Sequence, residues 1–262
     1  MTDTLLQDVI YKVGIYSGLK AERDADEPGY TDKMKLQDKV YKAVARHFRK
    51  QKAAIKEQLG FYFPGRKAEL NIGAINIPDD AEFMAELIKL LIHGYVGGVD
   101  LFLEGVNIGF DPTLTNAEAS RWAKQYTTGL IRDIDETTEK AVRRVVADFI
   151  DTPAMTIGDL TSQLPFKGYR AKMIAVTETT KSYAEGQLET GRRLAKEWPG
   201  VRVVKKWHTN RDDIVCEICG PMDGQEVGID EQFTTGLGDK VDAPPVHPNC
   251  RCWISTRTRI AE

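Results

Sequence analysis

The sequence predicts an α+β protein: a mostly helical N-terminal body, residues 1–200, and a small C-terminal β module, residues 201–262, clasped by cysteine and histidine. Three observations lead there. Before Gly200, apolar residues recur at helical spacing over long runs. After Gly200 they give way to short β-branched stretches broken by turn residues. All four cysteines of the chain fall between Cys216 and Cys252.

The first helix is expected over Lys33–Leu59, where Leu36, Val40, Val44, Phe48, Ile55 and Leu59 form one stripe. Phe61–Pro78, with Pro64, Gly65 and Gly73, reads as a loop, and Asp79 or Asp80 is placed to cap a second helix. That helix carries Gly94 and Gly98, then Gly105 and Gly109, each pair four residues apart. Isolated glycines cost about 1 kcal/mol each in a helix interior. Two accounts stand: close approach of another helix, or a break at Gly97-Gly98. Thr115-Asn-Ala-Glu118 fits a capping box opening a helix to Ile150, with Trp122, Tyr126, Leu130, Ile134, Ala141, Val145 and Phe149 as its stripe and Pro153 after its end. A short capped helix is expected over Thr156–Leu164, before Pro165, and a long one from about Tyr169 to Glu197, closed by Trp198-Pro-Gly200. Beyond it, Val201–Trp207 and Trp253–Thr258 read as strands, and Met222-Asp-Gly-Gln225 as a turn.

Composition bounds the function. With 262 residues, 42% hydrophobic and 29% charged, the chain has an ordinary globular balance. Its net charge of −3 means that any nucleic-acid role rests on a local patch. The start, Met1 to Asp8, lacks a basic region followed by an apolar run. The most apolar stretch, Phe83–Ile108, is interrupted by Glu86, Lys89, Asp100 and Glu104, and its longest uncharged run, Leu90–Val99, falls short of the ~20 residues that span a bilayer. No membrane role is expected. The protein is expected to be made in a cytosol and to stay there or enter an assembly, so its thiols are expected to be reduced.

The cysteines carry the chemistry. Cys216-Glu-Ile-Cys219 points two sulfurs at one place, and a second pair from a distant segment completes a tetrahedron around zinc. His247-Pro-Asn-Cys250 has the same spacing; Cys250 with Cys252 competes for the role. The predicted ligands are Cys216, Cys219 and Cys250, with the fourth from His247 or Cys252, and the zinc is structural. A module this small buries little surface, and a metal supplies folding free energy. The alternatives are disulfides, unengaged thiols and a redox Cys-x-x-Cys, the last without a preceding βαβ unit.

Catalytic patterns are missing: neither the deaminase pair of motifs, nor His-Glu-x-x-His, nor Gly-x-Ser-x-Gly, nor a phosphate-binding Gly-x-x-x-x-Gly-Lys is present. No enzyme is expected; a zinc-clasped protein that binds DNA without sequence preference is one alternative function, and a metal-dependent nuclease using His247, Asn249 and His208 ranks below it. Two stretches are basic. From Lys33 to Lys67 eleven Lys or Arg face two acids, and from Arg192 to Arg211 seven bases face Glu197 alone. Lys39, Lys42, Arg46, Arg49 and Lys50 are the candidate contacts to double-stranded DNA, without sequence preference; a solvated helix face or a protein partner is the alternative.

The order of these elements resembles the phage Mu F-like minor head protein family. The resemblance runs from Ala175-Val-Thr-Glu178-Thr and Ala184-Glu-Gly186, through Trp207, Asp212, Asp213 and Cys216-Glu-Ile-Cys219, to Pro245-Val-His-Pro-Asn-Cys250-Arg-Cys252, about residues 165–256. Val176 stands where the family leads one to expect a basic residue. The resemblance implies a minor capsid protein acting in head assembly and in handling or ejection of packaged DNA. It implies the phage portal protein as partner, with the major capsid or scaffolding protein as others, and a place in the virion inside the capsid near the portal vertex. Some relatives carry a further toxin or enzyme domain after the clasp; with ten residues after Cys252, none is expected here.

Overall fold

The computed structural model describes residues 27–60, 72–106, 112–152, 154–210, 212 and 214–260. Expectations for Met1–Asp8, residues 61–71 with Arg66 and Lys67, Gly109, Pro153, Arg211 and Asp213 lie outside these residues. Among the described residues five α-helices come first: α1 (Tyr30–Gly60), α2 (Ala81–Val106), α3 (Pro112–Asp151), α4 (Ile157–Gln163) and α5 (Gly168–Glu197). Five strands follow: β1 (Val201–His208), β2 (Glu226–Gly228), β3 (Phe233–Thr234), β4 (Lys240–Val241) and β5 (Trp253–Ile260). The fold class is as the sequence predicts. Among the described residues no helix is long and apolar enough to cross a membrane.

The expected stripe of α1 is buried throughout, from Leu36 to Leu59, and packs against α2, α3 and α5. Asp80 caps α2 by accepting the Phe83 N–H at 3.0 Å. The glycines of α2 serve close approach, and the helix does not break. A Cβ on Gly98 would lie 2.1 Å from the Tyr183 carbonyl oxygen of α5, and one on Gly186 of α5 would lie 2.0 Å from the Tyr95 carbonyl oxygen of α2. The two backbones touch at the points where side chains are missing.

Helix α3 departs from expectation twice. It begins at Pro112, three residues before the expected cap, and Thr115 is buried inside it. Proline suits the first helical turn because its missing N–H has no partner to lose there. The buried line meets the expected stripe at Ile134, Val145 and Phe149 but otherwise runs one step round from it, through Ala119, Ala123, Thr127, Ile131, Thr138, Val142 and Val146. Small side chains let the helix approach its neighbours, while Trp122, Tyr126 and Leu130 flank the contact half-buried. Helix α4 is capped as expected, by Thr156, and its cap is a capping box with Asp159, a motif that the sequence predicts instead at Thr115 and Glu118.

β1 is the centre of a three-stranded antiparallel sheet in the order β2-β1-β5, with Val201 opposite Ile260 and His208 opposite Trp253; β3 and β4 form a separate hairpin. Helix gives way to strand at Gly200, as expected. Apolar packing continues across that point: Phe102 of α2 and Leu188 and Leu194 of α5 share a core with Val203, Trp207, Met222, Phe233 and Ile254.

Candidate metal centre

Two turns bring the donors together. In the first, the Cys219 N–H donates to the Cys216 carbonyl at 3.1 Å and the Gly220 N–H to the same oxygen at 2.9 Å. In the second, the Cys250 N–H donates to the His247 carbonyl at 3.2 Å. Equal spacing in sequence thus gives a tight turn at each place, by different backbone paths. Asn249, in the second turn, has φ 63°, a left-handed conformation that Asn tolerates.

The surroundings hold both turns in place. The Gly236 N–H of the β3–β4 hairpin donates to the Ile218 carbonyl at 2.9 Å, and a Cβ there would sit 2.2 Å from the Glu217 carbonyl oxygen, so the hairpin backbone lies directly on the first turn. The Gln225 amide bonds to the Thr234 backbone in both directions, at 2.8 and 3.0 Å. Arg251, between the last two cysteines, donates both terminal nitrogens to Asp212 at 2.6 and 2.9 Å, which joins the two halves of the clasp from outside. The second turn is fastened to α5, where Thr177 accepts the Asn249 N–H at 2.8 Å. Next to it, Glu178 accepts the Tyr126 hydroxyl at 2.7 Å and so holds α3.

All five predicted ligand residues converge. Cys216, Cys219 and His247 form one group and Cys219, Cys250 and Cys252 another, each with its donor atoms within 4.8 Å of one another. His247 Nε2 lies 3.1 Å from the Cys216 sulfur and 3.2 Å from that of Cys219; the Cys219 and Cys250 sulfurs are 3.9 Å apart. Zinc–sulfur bonds of ~2.3 Å at tetrahedral angles put neighbouring sulfurs about 3.8 Å apart. The cluster can therefore hold a metal ion, and all four cysteines are unbridged.

Electrostatics point the same way. The Cys216 thiol is pulled down to about 4, chiefly by the Cys219 thiol beside it and then by His247. Cys250 is held well below the ordinary thiol range by Cys219 and Cys252. Cys219 is pushed up by Cys216 and Cys250. Cys252 is also pushed up: Cys219 lowers it, but Cys250 and burial outweigh that. Burial lowers His247, yet its sulfur neighbours raise it to about 9. Two thiols drawn toward the thiolate, two neighbours that keep their protons and an imidazole held protonated share one cluster, and a divalent cation bound there would displace the remaining protons.

Histidine 208 lies apart from this group. It bonds Ser255 at 2.8 Å and stacks on Trp253 with ring centroids 3.9 Å apart.

The predicted DNA contacts Lys39, Lys42, Arg46, Arg49 and Lys50 are all exposed on α1, but three are paired with acids. Lys42 meets Asp38 at 2.6 Å, Arg46 meets Glu86, and Lys50 meets Glu82 at 2.9 Å and Asp80 at 3.2 Å. The second basic stretch does not form one surface. Arg192 pairs with Glu189, Asp230 and Asp242, Arg193 with Glu197, and Lys205 is buried, its ammonium 5.4 Å from the Phe233 ring centroid.

Sequence reasoning did not identify the Asp212–Arg251 pair or the Thr177–Asn249 bond. Their signal was present, since Thr177, Asp212 and Arg251 all fall inside the segments that carry the family resemblance. Comparison with curated proteins and with solved structures finds no match. Residues 129–255 match the family model described as Phage Mu protein F like protein, a match that starts in the middle of α3, earlier than the expected residue 165. This segment, which contains both turns of the clasp and the helix that fastens them, belongs to the phage Mu F-like family of head-morphogenesis proteins.

Proposed function

We propose that this chain is a minor head protein of a tailed phage, associated with the portal inside the virion, and that its C-terminal module folds around one structural zinc ion. The observation that carries the metal is the convergence of two tight turns from distant segments on one set of sulfur and imidazole donors. Soft thiolate donors suit zinc, whereas magnesium and calcium take oxygen ligands. Cys216, Cys219, Cys250 and His247 are the proposed ligands, since His247 Nε2 faces two of the sulfurs. Cys252 is the competing fourth donor. Bound there, zinc supplies a cross-link between the segments on either side of the β3–β4 hairpin.

The role is structural and not catalytic. His247 faces sulfur, the Asn249 backbone completes a turn against Thr177, and Asp212 is bonded to Arg251, so none is poised as a general base. The helical body docks on the portal or the adjacent inner shell, and the protein acts in head assembly and in handling or ejection of packaged DNA. The family match supports the phage-head setting. Cross-linking of purified virions tests the placement. Cross-links from α1–α5 to portal protein are expected; cross-links confined to the tail or to the outer capsid face overturn it.

A further inference from the structure

We propose that the outer face of the three-stranded sheet is a docking surface for the phosphate backbone of duplex DNA. This rests on the DNA-handling part of the function proposed above and gives it a location. In an antiparallel sheet, residues directly opposite share a face. The pairings Arg202 with Arg259, Val204 with Arg257, Lys206 with Ser255 and His208 with Trp253 therefore place all eight side chains on one side. The other side, with Val203, Lys205, Trp207, Ile254 and Thr256, is buried; on the outer side Val204 and Trp253 are buried too, and its exposure comes from the arginines.

The outer face thus carries Arg202, Lys206, Arg257 and Arg259 against one carboxylate of the three strands, Glu226, which lies opposite Lys206 and pairs with Arg259. On a chain of net charge −3 this local excess runs against the overall sign. Arg202, Arg257 and Arg259 are exposed, and Lys206 is half-buried. Arg202 stands directly across from Arg259, and like charges directly opposite destabilise a sheet. Glu226 answers Arg259 alone, and an anionic partner at Arg202 removes what remains of that cost. Alternate residues along a strand are ~6.8 Å apart and neighbouring strands ~4.8 Å, so the cations form a flat grid that several phosphates can touch at once.

Duplex backbone is the favoured occupant over unstacked bases. The aromatic groups of the face are already used: His208 stacks on Trp253 at an interplanar angle of 8°, and Trp253 is 9% exposed. Recognition by charge without base contacts has no sequence preference.

The test uses the full chain with zinc and a short mixed-sequence duplex, followed by fluorescence anisotropy over a salt series. Three to four phosphate contacts give a slope of log affinity on log salt near −0.9 per contact, a loss of about 40- to 150-fold between about 50 and 200 mM salt. Arg202→Ala with Arg257→Ala is expected to flatten that slope by about two units, and Arg202→Lys with Arg257→Lys to restore most of it. An unchanged slope in the alanine variant overturns the proposal. If Arg46→Ala with Arg49→Ala abolishes binding while the sheet variant retains it, DNA handling stands and the sheet is the wrong surface. If the unaltered chain does not bind duplex at all, the DNA reading itself falls. Loss of portal co-purification from the sheet variant, with DNA binding intact, assigns the face to an acidic protein and overturns the proposal too.

Discussion

The backbone N–H of Asn249 bonds to the hydroxyl of Thr177 at 2.8 Å, which fastens the second turn of the clasp to the N-terminal third of α5. Thr177 in turn donates to the Met173 carbonyl at 2.8 Å, so its hydroxyl is held in place to accept. Thr177→Val removes the acceptor and keeps the shape. The expected cost is about 1 kcal/mol in denaturant unfolding, with faster zinc loss to a chelator. Thr177→Ser is expected to behave as the unaltered chain. Equal zinc release from the valine variant makes the bond incidental.

One zinc per chain is expected by metal analysis of protein purified under reducing conditions without chelator, and its absence refutes the clasp. Cys216→Ser and Cys250→Ser are expected to lose the metal. His247→Ala should lower affinity more than Cys252→Ser, and affinity should fall at acid pH as protons compete for the ligands. Since Phe102, Leu188 and Leu194 pack into the module, hydrogen exchange after metal removal should rise at the adjoining ends of α2 and α5. The cluster around Val142, Val146 and Phe149 is expected to stay protected.

The glycines make a paired test. Gly98→Ala forces a Cβ to 2.1 Å from the Tyr183 carbonyl oxygen, and backbone there cannot move aside cheaply. A loss of at least 1–3 kcal/mol is expected, as for other overpacked cores. Gly129 of α3 has nothing within 4 Å of an added Cβ, so Gly129→Ala should gain about 1 kcal/mol from helix propensity. Thermal unfolding of both variants reads the difference, and equal effects contradict the close approach of α2 and α5.

Glu178 is buried, and burial pushes its carboxyl up to about 7 from 4.5, against the Tyr126 hydroxyl bond and Lys181, which lower it. A folded value above the unfolded one means that the native state holds the proton more tightly. Its contribution is therefore complete below pH 4.5 and is lost as pH rises through 7. A shift of that size corresponds to about 3 kcal/mol. Glu178→Gln, which keeps an acceptor for Tyr126, should stabilise the chain at pH 8 and change little at pH 4. Denaturant unfolding at the two pH values checks the sign; a uniform effect at both refutes it.

Helical periodicity and the cysteine spacing were legible because each depends on local geometry. Leu36 to Leu59 and the spacing shared by the two turns of the clasp are cases of a repeat distance written directly in sequence. What was not legible depends on tertiary context. Thr127 and Thr138 line the buried side of α3, and a search for large apolar residues passes over them. Counting bases from Arg192 to Arg211 hides the alternation of a strand, which sends Lys205 inward and Arg202 and Lys206 outward. The glycines of α2 fitted either a break or a contact until Tyr183 and Gly186 of α5 were seen opposite them. Arg251 and Asp212 are 39 residues apart, beyond the reach of any periodicity.

The pairing of β1 with β5 has a mechanical consequence. Val201 opposes Ile260 at the open end, and His208 opposes Trp253 at the other, just where the chain passes into the clasp. Tension applied between α5 and the far end of β5 loads the ladder one bond at a time, the peeling geometry in which antiparallel strands resist least. The two turns of the clasp lie at the closed end, so a metal held there would set a cross-link in the path of the peel before it can reach the loops between the strands. The clasp is then a stop at the end of a zipper, and its removal should show in single-molecule pulling as the loss of the last resistance rather than the first.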